Sequence, residues 1–599
     1  MAKRRIFKYI REVIGEKKSM SIYKIAENGD SNYYIVAHQY ADETIRYAAS
    51  ELQKYLLQST NAIVPYFSDR CPSVGAEIRI GDFVRGDEWK NPSLIGLSEE
   101  AFSICGRDEN IYITGNSSRG VLYGVYYFLE NFCGFACFTK DVETIDKHSR
   151  LEIELEEIIK EPAFEFRDTY FRFAFDGDFC AKNRSNTSLG DISVAKGGRM
   201  KWFNFHHSFN DLVPDTNYFE EHPEYFSEID GVRVKNSQLC LTNPEVAKIA
   251  EKTLRQWIRE NPECRVFSIA QNDNTKRCTC KSCLALEEKE GSPAGPIIHF
   301  VNRLADAIKK DYPDILLHTF AYQYSLPAPK HVMARENVIV RLCSISCRFD
   351  RPLKELALAG SSEESEFVKA LYDWKEHASR LYVWDYAVNF RNYLQPFIHL
   401  HTLQENIKFF KECGVKGVLE QGNFAYGGGA ACDDLKSYVI AKLLWDPQAD
   451  VNKEIARFCR AVYGEAAGKN MEDYVTLMMK ACESAPLSIY QHPSAEYITD
   501  DLICEAEKRF EQALSAAENE KYKRRIEREF LSVRFLRLSR LPMDTPQRQQ
   551  DIENFFDDLK SFGITEIRER RALSSTKNDM LESRYATSKS GSVLYYIMK

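Results

Sequence analysis

Two adjacent polar side chains, Asn272 and Asp273, follow a short apolar run in the segment Val266–Cys283, VFSIAQNDNTKRCTCKSC. A sugar bearing a 2-acetamido group can use its own carbonyl oxygen as nucleophile. An enzyme acting on it supplies one group to orient the acetamide and one acid to protonate the leaving oxygen. Asn272 has the chemistry for the first task and Asp273 for the second. Such an acid needs a raised pKa, from burial or from a nearby carboxylate. Glu420, closing another apolar run, is the rival acid. Paired carboxyl groups flanking a glycosidic bond are the usual acid and base, or nucleophile, of its hydrolysis.

Cys278, Cys280 and Cys283 stand in C-x-C-x-x-C spacing just beyond Asp273. Three thiolates so spaced could hold zinc with a fourth ligand from elsewhere, and Cys240 is the best-placed candidate. The alternative is a tight turn of reduced thiols. The histidines show no H-E-x-x-H spacing, so a zinc ion here would be structural, and no cofactor is expected for catalysis.

Eight apolar strand candidates could position these groups: Phe164–Phe173, Trp202–His206, Gln238–Leu241, Arg265–Ala270, Leu316–Tyr322, Val338–Ser344, Leu381–Trp384 and Gly417–Glu420. Helical patterns separate most of them. The count predicts an α/β fold built on a (β/α)8 TIM barrel, with an open doubly wound sheet as the alternative. The glycine fingerprint of the latter is missing. In a barrel the C-terminal strand ends face the site. The expected substrate-binding residues are therefore His206 and His207, Tyr322 and Gln323, and Trp384, Asp385 and Tyr386. The aromatic insertion Tyr218–Asn243 could wall a saccharide cleft or form a lid.

Residues 20–150 read as a preceding α/β domain and residues 160–446 as the barrel. After Trp445-Asp446-Pro447 the strand patterns stop, and residues 447–599 read as a helical domain. Gly115-x-x-x-x-Gly120 is no phosphate loop, since Val121-Leu122 stands where Lys-Ser/Thr belongs. A net charge of −8 argues against nucleic acid as a partner. No run of eighteen apolar residues predicts a membrane span. The basic start, MAKRRIFKYIREVIGEKKSM, has no continuous apolar core, so a cytoplasmic location is expected, with most of the 17 cysteines reduced. Oligomeric state leaves no signal in the sequence.

The strings "SIAQNDNTKRCTCKSC", "FVNRLADAIKKDYPD", "FAYQYSLPAPK", "NVIVRLCSISC", "LYVWDYAVNF" and "GVKGVLEQG", with "EEHPEYFSEIDGVRV…QLCLTNPEV" upstream, resemble the family called domain of unknown function 4838 over roughly residues 160–450. "SSRGVLYGVYYFLE" resembles the small domain that precedes the barrel in hexosaminidases and α-glucuronidases. Part of the former group is glycoside hydrolase family 163, endo-β-N-acetylglucosaminidases acting on N-glycans. The resemblance implies an oligosaccharide substrate with N-acetylhexosaminide linkages. An α-glucuronidase-like enzyme, with Arg172 or Arg348 meeting a uronate, and a carbohydrate-binding barrel without catalysis are the other expectations.

Overall fold

The computed structural model describes residues 21–88 and 91–582. The basic N-terminal segment, on which the expected location rests, lies outside the described residues. The chain divides into two compact units.

Among the described residues, the first unit holds 21–88, 91–136, 144–161 and 194–197. Its six-stranded sheet runs Ile158–Lys160, Phe102–Arg107, Asn110–Gly115, Ala76–Ile80, Tyr33–Ala37, Tyr66–Ser68. Helices Glu43–Thr60 and Ser118–Phe132 pack on it. Asp42 caps the first by accepting from the Ile45 amide, and Ser117 caps the second by accepting from the Gly120 amide. A Cβ on Gly120 would lie 2.7 Å from the Ala101 carbonyl oxygen. That glycine serves the close approach of helix to sheet.

The second unit holds the other described residues, through 582. Its centre is a curled parallel sheet of seven strands: β1 Phe166–Tyr170, β2 Trp202–Phe203, β3 Val266–Ser268, β4 Leu316–Ala321, β5 Val338–Cys343, β6 Arg380–Tyr386 and β7 Gly417–Gln421. The order is β1-β7-β6-β5-β4-β3-β2. The eight-strand expectation is corrected here. Gln238–Leu241 forms no ladder strand, and β2 pairs directly with β3. The backbone of that segment is tied instead to loops, Gln238 N to Lys276 O and Cys240 N to Tyr225 O. β2 is also shorter than expected. Asn204 adopts a left-handed φ of 48°, which ends the strand before His206.

The sheet curls far enough that its edge strands meet through their rings. Phe166 of β1 lies 5.3 Å from Trp202 of β2. Arg341 of β5 is wholly buried in the space so enclosed, with its guanidinium 4.3 Å from the Trp202 ring and 4.7 Å from Phe205. Tyr382 of β6 stacks on Phe166 in the same space. Gly417 of β7 makes room for it, because a Cβ there would come within 2.7 Å of that ring.

Helices follow the sheet strands on the outside, including Pro244–Glu260, Ala294–Lys309, Ser362–His377, Leu400–Glu412 and Asp433–Trp445. Six more helices run from Val451 to Leu581. They share the second unit with the sheet. Half-buried Arg528 joins them to the helix Asp433–Trp445 by pairing with both oxygens of buried Asp433 at 3.0 Å. Among the described residues no helix is long and apolar enough to cross a membrane.

Candidate active site at the C-terminal strand ends

The loop after β3 carries Asp273 into the open mouth of the curled sheet, where its side chain is 65% exposed. Two groups face its Oδ1. The Tyr322 hydroxyl donates to it at 3.3 Å, and His207 Nε2 lies 3.8 Å away. The His207 ring is oriented by its other nitrogen, which is 2.6 Å from the Gln271 carbonyl. A carbonyl only accepts, so Nδ1 carries the proton and Nε2 is turned to the carboxylate. Gln323 donates to the Tyr322 hydroxyl at 3.0 Å and adopts a left-handed φ of 53°. Side chains held in this sparsely populated conformation gather at functional sites.

An aromatic floor lies beneath. Trp384 packs 5.6 Å from Phe205, 5.8 Å from His206 and 6.0 Å from Phe320. Its indole N–H donates to Gln421 at 2.8 Å. The His206 imidazole is held below its ordinary range by desolvation and by its neighbours His207, Arg341 and Arg570. Burial raises the Tyr386 phenol, which looks onto Cys343, Tyr322 and Tyr490.

Asn272 occupies a different role from the expected one. Its Oδ1 accepts from the Asn210 amide at 3.0 Å, and its Nδ2 donates to the Ser237 carbonyl at 2.7 Å. Both ends of the carboxamide are engaged inside the protein. Asn272 therefore positions the loop, and the geometry does not present it to an acetamide.

Asp385 and Glu420 are not brought to the mouth. In the β6–β7 ladder Trp384 stands beside Leu419, and Asp385 beside Glu420. Successive side chains of a strand point to opposite faces. Trp384 faces the lumen, so Asp385 and Glu420 face the wall behind it. Both are fully buried. The Ser344 hydroxyl donates to Asp385. Neither oxygen of Glu420 has a hydrogen-bond partner among the described residues. Burial pushes Asp385 up to about 6 and Glu420 well above the usual carboxylate range, Asp385 adding its charge to the latter. Access separates the two carboxyls: Glu420 is sealed and Asp273 is open to solvent.

Groups outside the expected set line the mouth. Glu569 is raised by burial and then by the neighbouring carboxylates Glu566 and Asp273, with Arg570 opposing. Tyr490 lies 6.1 Å from Phe390 and beside Tyr322 and Tyr386. Both come from loops among the C-terminal helices. The charged string Glu566-Ile-Arg-Glu-Arg-Arg571 is visible in the sequence, yet nothing local ties it to a strand end. On one rim, Tyr426 is 68% exposed, with the Arg172 guanidinium 3.9 Å from its ring centre.

Cys240, Cys278, Cys280 and Cys283 gather behind the Asp273 loop, with their sulfurs all within 4.8 Å of one another.

Residues 137–476 match the family described as "Domain of unknown function (DUF4838)". The match spans more than half of the chain, and the chain belongs to that family. The sequence matches none of the curated proteins. Among solved structures, a family GH115 4-O-methyl-α-glucuronidase with specificity for decorated arabinogalactans is similar at a TM-score of 0.55 and 11% identity, over 94% of this chain and 78% of that one. The GH20 β-N-acetylhexosaminidase from Streptomyces coelicolor A3(2) is similar at a TM-score of 0.42 and 13% identity, over 77% and 94%. An enzyme of family GH138 targeting pectin rhamnogalacturonan II gives a TM-score of 0.42 and 10% identity, over 92% and 98%. These neighbours are glycoside hydrolases. At such identities the likeness of the first shows the fold alone.

Proposed function

We propose that the chain is a glycoside hydrolase acting on N-acetylhexosaminide linkages of oligosaccharides, with Asp273 as general acid. The observation that carries the reading is the largely open Asp273 carboxylate, set in a ring-lined mouth with a phenol and an imidazole within 4 Å of one oxygen. Aromatic faces suit the CH faces of a sugar.

In the substrate-assisted course, the acetamide oxygen attacks the anomeric carbon while the Asp273 proton passes to the leaving oxygen. The same carboxylate then takes a proton from the water that opens the cyclic intermediate, and retention of configuration follows. Glu569 lies near this carboxylate, and its own carboxyl is raised by burial and by the charges of Glu566 and Asp273. Asn272 is spent on its loop. The acetamide would therefore meet the Tyr322 hydroxyl and the Gln323 carboxamide, which are bonded to each other beside Asp273.

A uronate-bearing substrate is the second reading, and the exposed Arg570 beside His206 favours it. Arg348 is a poorer candidate, because Asp350 engages it through two nitrogens at 3.0 and 2.6 Å. The GH115 neighbour is described as a 4-O-methyl-α-glucuronidase. A panel of aryl glycosides separates the readings. Hydrolysis of the aryl N-acetylhexosaminides supports the first. Hydrolysis of the aryl glucuronide alone, lost in Arg570→Ala, would replace it with the second.

A further inference from the structure

We propose that Cys240, Cys278, Cys280 and Cys283 hold one zinc ion as four thiolates, and that this centre fixes the loop that presents Asp273. The second half of the proposal rests on the catalytic reading above, and the first half does not.

The sulfur geometry is the starting point. Cys240 Sγ lies 3.7 Å from that of Cys280 and 3.9 Å from that of Cys283. A tetrahedral zinc site with bonds of about 2.3 Å spaces its sulfurs about 3.8 Å apart. A disulfide would bring two of them to about 2.05 Å, and all four cysteines are free. Two thiols can touch at such distances by packing. Four that converge mutually leave a common centre equidistant from all of them. Among the described residues no second group of His, Cys, Asp or Glu side chains gathers in this way.

The surroundings carry the charge that such a centre requires. Four thiolates and one divalent ion leave a net charge of −2. The Glu228 amide donates to Cys278 Sγ at 3.4 Å, and the Arg233 guanidinium lies 3.8 Å from the same sulfur. The Thr242 hydroxyl lies 3.2 Å from Cys283 Sγ. The ten-residue helix Lys281–Glu290 begins at Cys280, which turns its positive end toward the cluster. Neutral thiols are weak acceptors and need none of these donors. Metal-bound thiolates do. The four residues are 3–8% exposed, so an ion there would be shielded from solvent and closed to substrate. That marks a structural centre.

The link to Asp273 runs through Gln238, two residues before Cys240. Its Oε1 accepts from the Asn272 amide at 2.8 Å. Its Nε2 donates to the carbonyls of Asn272 and Asn274, each at 2.8 Å. The residues on both sides of Asp273 thus hang on one side chain, and the Asn272 carboxamide adds a bond back to Ser237. The segment carrying Gln238 belongs to no sheet and pairs only through one antiparallel bridge, Leu239 with Phe226. A metal bridging Cys240 to Cys278, Cys280 and Cys283 would close these two loops into one rigid unit.

The test uses the full-length chain purified under reducing conditions. Elemental analysis should find one zinc per chain. Cys280→Ser should lose it, and Cys504→Ser, at an exposed position, should keep it. Because a ligand variant can fail to fold, the wild-type chain is also stripped with a chelator and titrated with cobalt(II). The visible bands of a tetrahedral tetrathiolate should appear and be displaced stoichiometrically by zinc. Hydrogen exchange of residues 225–243 and 271–283 should speed up on stripping and slow again with zinc, while the sheet strand Tyr33–Ala37 stays unchanged. A chain that carries no metal and gives no cobalt–thiolate bands overturns the site, as does Cys280→Ser with full zinc. Iron in place of zinc overturns the choice of metal. Unchanged exchange on stripping overturns the loop-fixing role. If the metal behaves as proposed while Asp273→Asn keeps full activity, the failure belongs to the catalytic reading and not to the centre.

Discussion

The second unit places acidic side chains at its strand ends in two very different settings. After β3, Asp273 is largely open and faces a phenol and an imidazole. At the ends of β6 and β7, Asp385 and Glu420 are sealed behind the lumen wall. The buried pair has the raised pKa values that a general acid is expected to show. The open residue has the access. A raised pKa reports burial first, and chemistry only when a substrate can reach the group. One residue of strand register decides which side of the wall a carboxyl occupies.

The largest expected effect is on the open side. Asp273→Asn should lower turnover of aryl N-acetylhexosaminides by about 10²–10⁴-fold with the fold unchanged, the range for a positioned acid. The loss should shrink when the leaving group is an activated phenolate, which needs little protonation. Steady-state kinetics over a leaving-group series reads both.

Gln238→Ala should come next. It removes the bonds that hold the backbone on each side of Asp273. Loss of such buried bonds costs about 1–3 kcal/mol of loop ordering, and a matching fall in kcat of about tenfold or more is expected. Tyr322→Phe removes one hydrogen bond to the acid and the hydroxyl that would meet the acetamide, and should cost about tenfold. A loss as large as that of Asp273→Asn would move the central role to the phenol.

The buried side should answer in stability and not in turnover. Asp385 sits at about 6 in the folded chain against an ordinary 3.8. As pH rises, the unfolded chain releases this proton first. Stability owed to keeping it is whole below about pH 4, falls between about pH 4 and 6, and stays lost above that. The shift is equivalent to about 3 kcal/mol at neutral pH. Asp385→Asn should flatten the fall of Tm across that window and leave kcat unchanged. An unchanged Tm profile would show that the carboxyl is hydrated or paired in solution.

How far these features are legible in the sequence follows from their physics. Apolar runs bounded by polar residues announce β1 and β3 to β7, because burial on both faces demands them. Gln238–Leu241 has the same apolar look, yet its side chains serve a loop clamp and a cysteine cluster. A single window of sequence cannot tell pairing from clamping. Asn204 ends β2 early through one backbone angle that its side chain tolerates. At the site, His207, Asp273, Tyr322 and Gln323 come together as their places at strand ends imply. Asn272, adjacent to Asp273, turns away because its carboxamide is taken up by the Asn210 amide and the Ser237 carbonyl, while the chain bends at Asp273. Glu569 and Tyr490 arrive from more than a hundred residues downstream on loops without periodicity, and only tertiary packing reveals them. The cysteine spacing is readable, and Cys240 completes the group from a separate loop earlier in the chain.

The most direct measurement sets Asp273→Asn and Glu420→Gln side by side on aryl N-acetylhexosaminides of increasing leaving-group pKa. The account predicts that Glu420→Gln keeps wild-type turnover on every substrate, while Asp273→Asn loses most on the poorest leaving group. If Glu420→Gln shows the leaving-group dependence and Asp273→Asn turns over normally, the open carboxylate is not the acid and the account is contradicted.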